Sequence, residues 1–284
     1  MLYTTLNRTG YALLTRILIA LSLCISLWIQ PAVGVEAAAD NITLTTRTSA
    51  SLSPTAPPAE LQVIPTPFRA VYEADYKGLP IRATGIRELR QTGDNQFTLS
   101  STATSFLASV SEEANFTLTP ENRLMPVEYQ YHRKGIGKNR DDILRFDWPA
   151  QQVMNDAQPT PWTLSIPMGT LDKLSYQLQM RYELLTAYQL GQPWPPLAYQ
   201  VTDGGELKTY RFEVLGEENV DTPIGRFTAL KIARVRTDSD RTTIFWLAPA
   251  YDFLLVRFLQ EEQKGGFELI LKEAKFRGEV VAGT

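Results

Sequence analysis

FRAVYEADYKGLPIRATGIRELRQTGDNQFTLSSTAT, residues 68–104, is the stretch whose reading decides the fold. Phe68, Ala70, Tyr72, Ala74 and Tyr76 alternate with Arg69, Glu73, Asp75 and Lys77, the period-two pattern of a strand with one buried face. Gly78-Leu79-Pro80 turns the chain into a second run, Ile81–Arg90, and Thr92-Gly93-Asp94-Asn95 into a third, Phe97–Thr104. Three neighbouring runs joined by turn-forming residues make an antiparallel meander.

Downstream, the same signature predicts strands at Val110–Leu118, Val127–Arg133, Ile143–Trp148 and Gln152–Asn155. One segment departs from it. DKLSYQLQMRYELLTAY, residues 172–188, places Leu174, Leu178, Arg181 and Leu185 at helical offsets, with Met180, Leu184 and Tyr188 widening the apolar face, which predicts an amphipathic helix. Thr170 or Asp172 is placed to cap its start, and Gly191 with Pro193 to stop it. Strands then resume at Leu207–Leu215, Phe227–Val235, Thr242–Leu247, Phe253–Gln260 and Phe267–Phe276, separated by Gly216-Glu217-Glu218-Asn219, Asp238-Ser239-Asp240 and Lys264-Gly265-Gly266. One helix cannot supply the crossovers a parallel sheet needs, and the turns show no fixed repeat that would suggest a propeller. The fold class is therefore mainly β: a large curved antiparallel sheet or open β-barrel with one amphipathic helix packed on or across it.

Upstream, residues 40–67 are rich in Ser, Thr and Pro without apolar periodicity and read as a flexible linker. Residues 1–39 carry Arg8 and Arg16, then ILIALSLCISLWI at 17–29, then small residues after Pro31, the layout of a signal peptide for export to the periplasm. The 13-residue apolar run is short of the roughly 20 that span a bilayer. Leu23, before Cys24, is not the small residue a lipid-attachment signal requires. Residues 68–284 then form a single β-rich domain. Removing the leader takes Arg8, Arg16 and Glu36 from 28 basic and 31 acidic residues, leaving 26 against 30 and no cysteine. That balance offers nothing to nucleic acid.

The order of several segments resembles the domain of unknown function 3108 family, a group of secreted proteins from Gram-negative bacteria. They are Tyr72-Glu73-Ala74-Asp75-Tyr76-Lys77-Gly78-Leu79, Phe146-Asp147-Trp148, Leu171-Asp172-Lys173-Leu174-Ser175, Thr222-Pro223-Ile224-Gly225-Arg226-Phe227 and Trp246-Leu247-Ala248-Pro249. The resemblance implies a periplasmic β-rich domain, similar in outline to the open barrels of lipoprotein carriers. It implies no activity.

Candidate chemistry is sparse, and no motif calls for a cofactor. His132 is the only histidine, so a Ser-His-Asp triad must use it, yet no G-x-S-x-G elbow presents a serine. Residues 134–140, KGIGKNR, lack phosphate-loop spacing and read as a hairpin turn with a basic rim. Asp141 and Asp142 point to opposite faces of a strand, and Asp147 lies about 20 Å from Asp141 at strand rise, so they predict no metal site. Asp172 reads as a helix cap. The aromatic content carries the sharper expectation: Trp148, Trp162 and Trp246, with Leu178, Met180 and Leu185 of the helix, line an apolar pocket between helix and sheet. Three functions follow. The first is non-enzymatic binding of an apolar or amphiphilic envelope ligand, such as a lipid or lipid-linked saccharide. The second is an assembly role through contacts with an outer-membrane or cell-wall protein. The third is a hydrolase of envelope polymers using a carboxylate pair. A cavity of several hundred Å3 favours the first, a filled core with a long bare edge the second, and facing carboxylates in a cleft the third.

Overall fold

The computed structural model describes residues 65–77, 82–106, 108–135, 139–157, 161–237, 239–263 and 265–284. The expected leader and residues 40–64 of the expected linker lie outside the described residues. The first half is a run of eight strands: β1 (Phe68–Lys77), β2 (Arg82–Gly93), β3 (Gln96–Thr104), β4 (Ala108–Leu118), β5 (Leu124–Gly135), β6 (Arg140–Asp147), β7 (Gln152–Asn155) and β8 (Trp162–Ser165). The helix α1 (Ser175–Gln189) follows. Seven strands complete the chain: β9 (Leu197–Asp203), β10 (Glu206–Thr222), β11 (Gly225–Val235), β12 (Thr242–Ala248), β13 (Leu254–Glu262), β14 (Gly265–Phe276) and β15 (Glu279–Val280). No helix among the described residues is long and apolar enough to cross a membrane.

Every strand pairs antiparallel with its neighbour, and the two halves join where β1 pairs with both β2 and β14. The result is one sheet in the order β8-β7-β6-β5-β4-β3-β2-β1-β14-β13-β12-β11-β10-β9, with β15 added beside β14. It curls into a barrel that stays open between β8 and β9. The segment entering α1 lies along that seam. Ile166 N–H donates to Gln151 O (2.9 Å), while Leu171 N–H donates to Gln200 O and Leu171 O accepts from Thr202 N–H on β9 (both 2.9 Å). The Trp162 ring packs on Gly205, where an added Cβ would sit 3.5 Å from it. Gly205 also has φ +84°, so this turn favours glycine twice over.

The inner face carries one continuous apolar cluster that includes Tyr72, Leu89, Phe97, Leu99, Phe116, Phe212, Phe245 and Phe258, and α1 enters it with Leu178, Met180, Leu184 and Leu185. The helix is more deeply set than its sequence pattern implies. Gln177 and Gln179, which fall outside the apolar face that the spacing marks, are buried along with Arg181 and the apolar residues. Three strands escaped the sequence pattern: β8, β9 and the two-residue β15. The expected turn at Gly216–Asn219 is also corrected: β10 runs through it to Thr222, and Gly216, at φ +118°, sits at an irregularity in the pairing with β11. A bulge absorbs the glycine there without ending the strand.

Candidate functional site

The helix is fixed at both ends by the residues expected to do so. The Asp172 Oδ1 atom accepts from the N–H groups of Leu174 and Ser175, each at 2.8 Å. This satisfies donors that the first turn leaves open. At the other end, Gly191 adopts φ +61°, its N–H donates to Tyr188 O (3.2 Å), and Gln192 N–H donates to Ala187 O (2.9 Å). That is a Schellman stop.

Between these ends, α1 is tied to the wall by side-chain hydrogen bonds as well as packing. Arg87 Nη1 donates to Gln177 Oε1 (2.8 Å), and Leu124 N–H donates to Gln179 Oε1 (2.8 Å). Arg181 donates twice to Asp252 O (3.2 and 3.1 Å), and Tyr199 OH donates to Glu183 Oε2 (2.7 Å). Beneath the helix, Phe68, Tyr72, Leu99, Leu178, Met180, Phe245 and Leu254 close around a cavity of about 20 Å3, room for a single water. Arg87, whose Nε has no hydrogen-bond partner, also lines it. This cavity is far short of the several hundred Å3 that would mark a preformed carrier.

Near the start of α1 the interior becomes charged. Lys173 Nζ lies 3.0 Å from Asp203 Oδ1, and Tyr210 OH donates to Asp203 Oδ2 (2.8 Å). Burial alone would raise the Asp203 carboxyl, but Lys173, Lys208 and Tyr210 outweigh it and hold the group below its ordinary value. Asp172 is pushed up to about 6 by burial, against the hydrogen bonds from Ser175 and Leu174. Its Oδ2 has no partner. Burial likewise raises Glu112, which accepts from Tyr129 OH at 2.6 Å. These carboxylates sit in the closed interior, not in a cleft that admits a polymer.

The six residues expected to line one pocket are dispersed. Leu178 and Met180 line the small cavity, and Leu185 is buried on α1. Trp148 is half-buried, stacked on Phe146 at 5.7 Å, and donates to Pro126 O (2.7 Å). Trp162 lies at the seam. Trp246 faces away from the cavity: its neighbours Phe245 and Leu247 line that space, while its own ring, only 2% exposed, lies under Lys231 and Arg257 and donates to Glu218. His132 is engaged by Asp141 Oδ1 (2.6 Å) and Gln130 Oε1 (3.3 Å), and Asp142 by Arg140 (2.7 Å).

Sequence reasoning missed a groove where α1 ends. It has a volume of about 330 Å3 and is lined by Tyr188, Phe227, Pro249, Tyr251 and residues 282–284. Tyr251 meets Phe227 edge-on at 5.9 Å and Phe276 at 6.1 Å, and Tyr188 meets Phe253 at 5.9 Å. One wall is backbone: Thr284 N–H donates to Arg226 O (3.0 Å) and Arg226 N–H to Thr284 O (3.1 Å). Pro249-Ala250-Tyr251, a single 3-10 turn between β12 and β13, was the available signal, since it sets a ring at a strand end. A second groove of about 440 Å3 is lined by Gln91, Asn95, Thr119, Pro120 and Asn122 with Phe97 and Leu118. No residue of α1 reaches it, and its lining is more polar.

Residues 71–272 match the family described as "Protein of unknown function (DUF3108)". No curated protein matches the chain. Among solved structures, the chain is similar to a beta-barrel-like protein of the DUF1849 domain from Brucella abortus, at 11% identity over 74% of this chain and 98% of that one, with a TM-score of 0.50. A slighter likeness, TM-score 0.29 at 12% identity, joins it to a protein provisionally described as a lipoprotein from Parabacteroides distasonis ATCC 8503, over 74% of this chain and 96% of that one. A third, TM-score 0.22 at 10% identity, is to a domain provisionally described as outer membrane lipoprotein-sorting from Vibrio parahaemolyticus, over 75% and 86%. The likeness to the Brucella protein is one of fold.

Proposed function

The chain belongs to the DUF3108 family of proteins of unknown function, and on that premise we propose that it binds an apolar or amphiphilic molecule, without covalent chemistry, at the mouth of the barrel beside the end of α1. The observation that carries this reading is the contrast in room: about 330 Å3 in the groove against about 20 Å3 beneath the helix. The larger volume falls in the range of small-molecule sites. Tyr188, 54% exposed, offers its ring to the groove at no cost to the core. An envelope lipid or lipid-linked saccharide is the ligand class, because residues 1–39 read as an export leader. An assembly role through strand addition needs a free sheet edge. Here β8 has only four residues, and β9 already pairs with Leu171.

Calorimetric titration with myristoyl lysophosphatidylcholine, against glycerophosphocholine as the same head group without the acyl chain, tests the reading. Saturable binding of the acylated probe only is expected, weakened about fivefold or more in Tyr188→Ala, the loss of an aromatic contact worth about 1 kcal/mol. Leu178→Ala is expected to leave it unchanged. No saturable binding would overturn the proposal. Tighter binding in Leu178→Ala with no effect of Tyr188→Ala would return the ligand to the space between helix and sheet.

A further inference from the structure

At the end of the barrel where α1 begins, β11 sends Arg234 to the inner face, and Arg236, just past its end, and Arg241, entering β12, join it. Arg234 stands opposite Phe212 of the inner cluster, and its guanidinium lies 3.3 Å from the centroid of the Tyr210 ring. Arg236 donates through Nη1 to Thr243 Oγ1 (2.7 Å) and Arg241 O (3.2 Å). Arg241 reaches Glu262 Oε1 at 2.6 Å. Among the described residues no carboxylate pairs with Arg234 or Arg236, and the buried Arg234 Nε has no hydrogen-bond partner. Three arginines thus meet on one short arc, and among the described residues the carboxylate of Glu262 reaches Arg241 and not the other two. Both Arg234 and Arg236 remain half-exposed, so a solute can reach them.

We propose that Arg234, Arg236 and Arg241 form a binding site for a phosphate-type oxyanion, separate from the aromatic groove. Like charges brought together repel, and the arrangement is stable only if something offsets that repulsion. The strain is visible on Arg236, which burial first, and then Arg234 and Arg241, lower to about 10. Asp203, which accepts from the same Tyr210 whose ring Arg234 covers, is already committed to Lys173 and Lys208. Guanidinium forks match a tetrahedral oxyanion with paired hydrogen bonds. Stacking on Tyr210 holds the Arg234 plane and leaves its N–H edge for a ligand. At the basic turn, Arg140 is taken by Asp142 and rests over Tyr131.

The test titrates inorganic phosphate into the purified chain by calorimetry at low ionic strength. In parallel, dihexanoylphosphatidic acid and dihexanoylphosphatidylcholine separate a lipid head group from a free phosphate. Saturable phosphate binding is expected, weakened about tenfold in Arg236→Gln and in Arg234→Gln, with Arg236→Lys intermediate because it keeps charge and loses the fork. Tyr188→Ala is expected to leave phosphate binding intact, so this site stands or falls apart from the groove. Phosphatidic acid binding about tenfold tighter than phosphate would identify a lipid head group. Equal affinity would identify a water-soluble phosphate. Should Arg234→Gln unfold the domain, Arg236→Gln decides alone. Phosphate binding that is unsaturable, or equal in wild type and Arg236→Gln, overturns the site.

Discussion

Where α1 begins, the barrel interior holds Lys173, Asp203 and Asp172, with Arg234 of β11 beside Tyr210. Where α1 ends, Tyr188, Tyr251 and Phe227 surround an open groove. The first end spends its polar groups on one another: a 3.0 Å ion pair, a carboxylate capping the helix, a tyrosine hydroxyl on Asp203. The second end fixes its backbone through the Schellman stop and the Thr284–Arg226 pairing, leaving a ring at the surface. Buried charges demand partners and hold a unique arrangement, whereas exposed rings cost little and leave room for a solute. The charged end thus ties the start of α1 down through its own pairs, whereas the aromatic end leaves an open groove of about 330 Å3.

The sharpest way to break this comparison is to loosen the region between the two ends. Leu178→Ala should lower stability by about 4 kcal/mol in urea unfolding, the range for a large-to-small change in a core that cannot collapse. Leu178 is 1% exposed. A loss under about 1 kcal/mol would mean slack beneath the helix, and the interior would become the better ligand site. Lys173→Ala comes next, at about 3 kcal/mol, because it takes from the buried Asp203 the ammonium that lies 3.0 Å from its Oδ1. The double replacement Lys173→Met with Asp203→Leu should recover most of that loss. Failure to recover would show that the pair sets the position of α1 and does more than neutralise itself.

A third expectation concerns pH. Asp172 titrates near 6 in the fold against an ordinary value of 3.8. The folded state therefore holds its proton more tightly, and stability from this group is complete below 3.8 and lost as pH rises through 6. Asp172→Asn keeps the capping oxygen and cannot ionise. The stability gap between wild type and Asp172→Asn should shift by roughly 2 to 3 kcal/mol between pH 3.5 and pH 7, in the variant's favour as pH rises. Equilibrium unfolding of both proteins at those two pH values measures it. An unchanged gap would mean that water reaches Oδ2 and that the charged end is wetter than its burial implies.

Much of the barrel is legible in the sequence because each strand buries one face, and Phe68–Thr104 advertises that with strict alternation. Legibility fails where the two faces look alike. In TTIFWLA, residues 242–248, every central residue is apolar, so the pattern cannot say that Phe245 and Leu247 face in and Trp246 faces out. It fails again where polar residues go inside. Gln177 and Gln179 fall outside the apolar face that the helical spacing marks, yet partners distant in sequence draw them inward. The seam strand β8, four residues long, is too brief for any period to register. The cap at Asp172 was legible because capping is local, decided within three residues.

Tyr188 gives the smallest expected effect on stability and the most direct reading of the comparison. Its ring touches Phe253 edge-on at 5.9 Å, but just over half of the residue is exposed. Truncation to Ala removes that contact and opens no internal cavity, so the cost should stay under about 1 kcal/mol, the usual size of an aromatic pair. Thermal unfolding of Tyr188→Ala should accordingly lie within a few degrees of wild type, about what that energy implies for a domain of this length. A larger loss would place Tyr188 in the packing that closes the barrel and make the aromatic end as structural as the charged one. A small loss together with weakened binding of the acylated probe separates the two roles: the ring is there for a solute, and the fold does not need it.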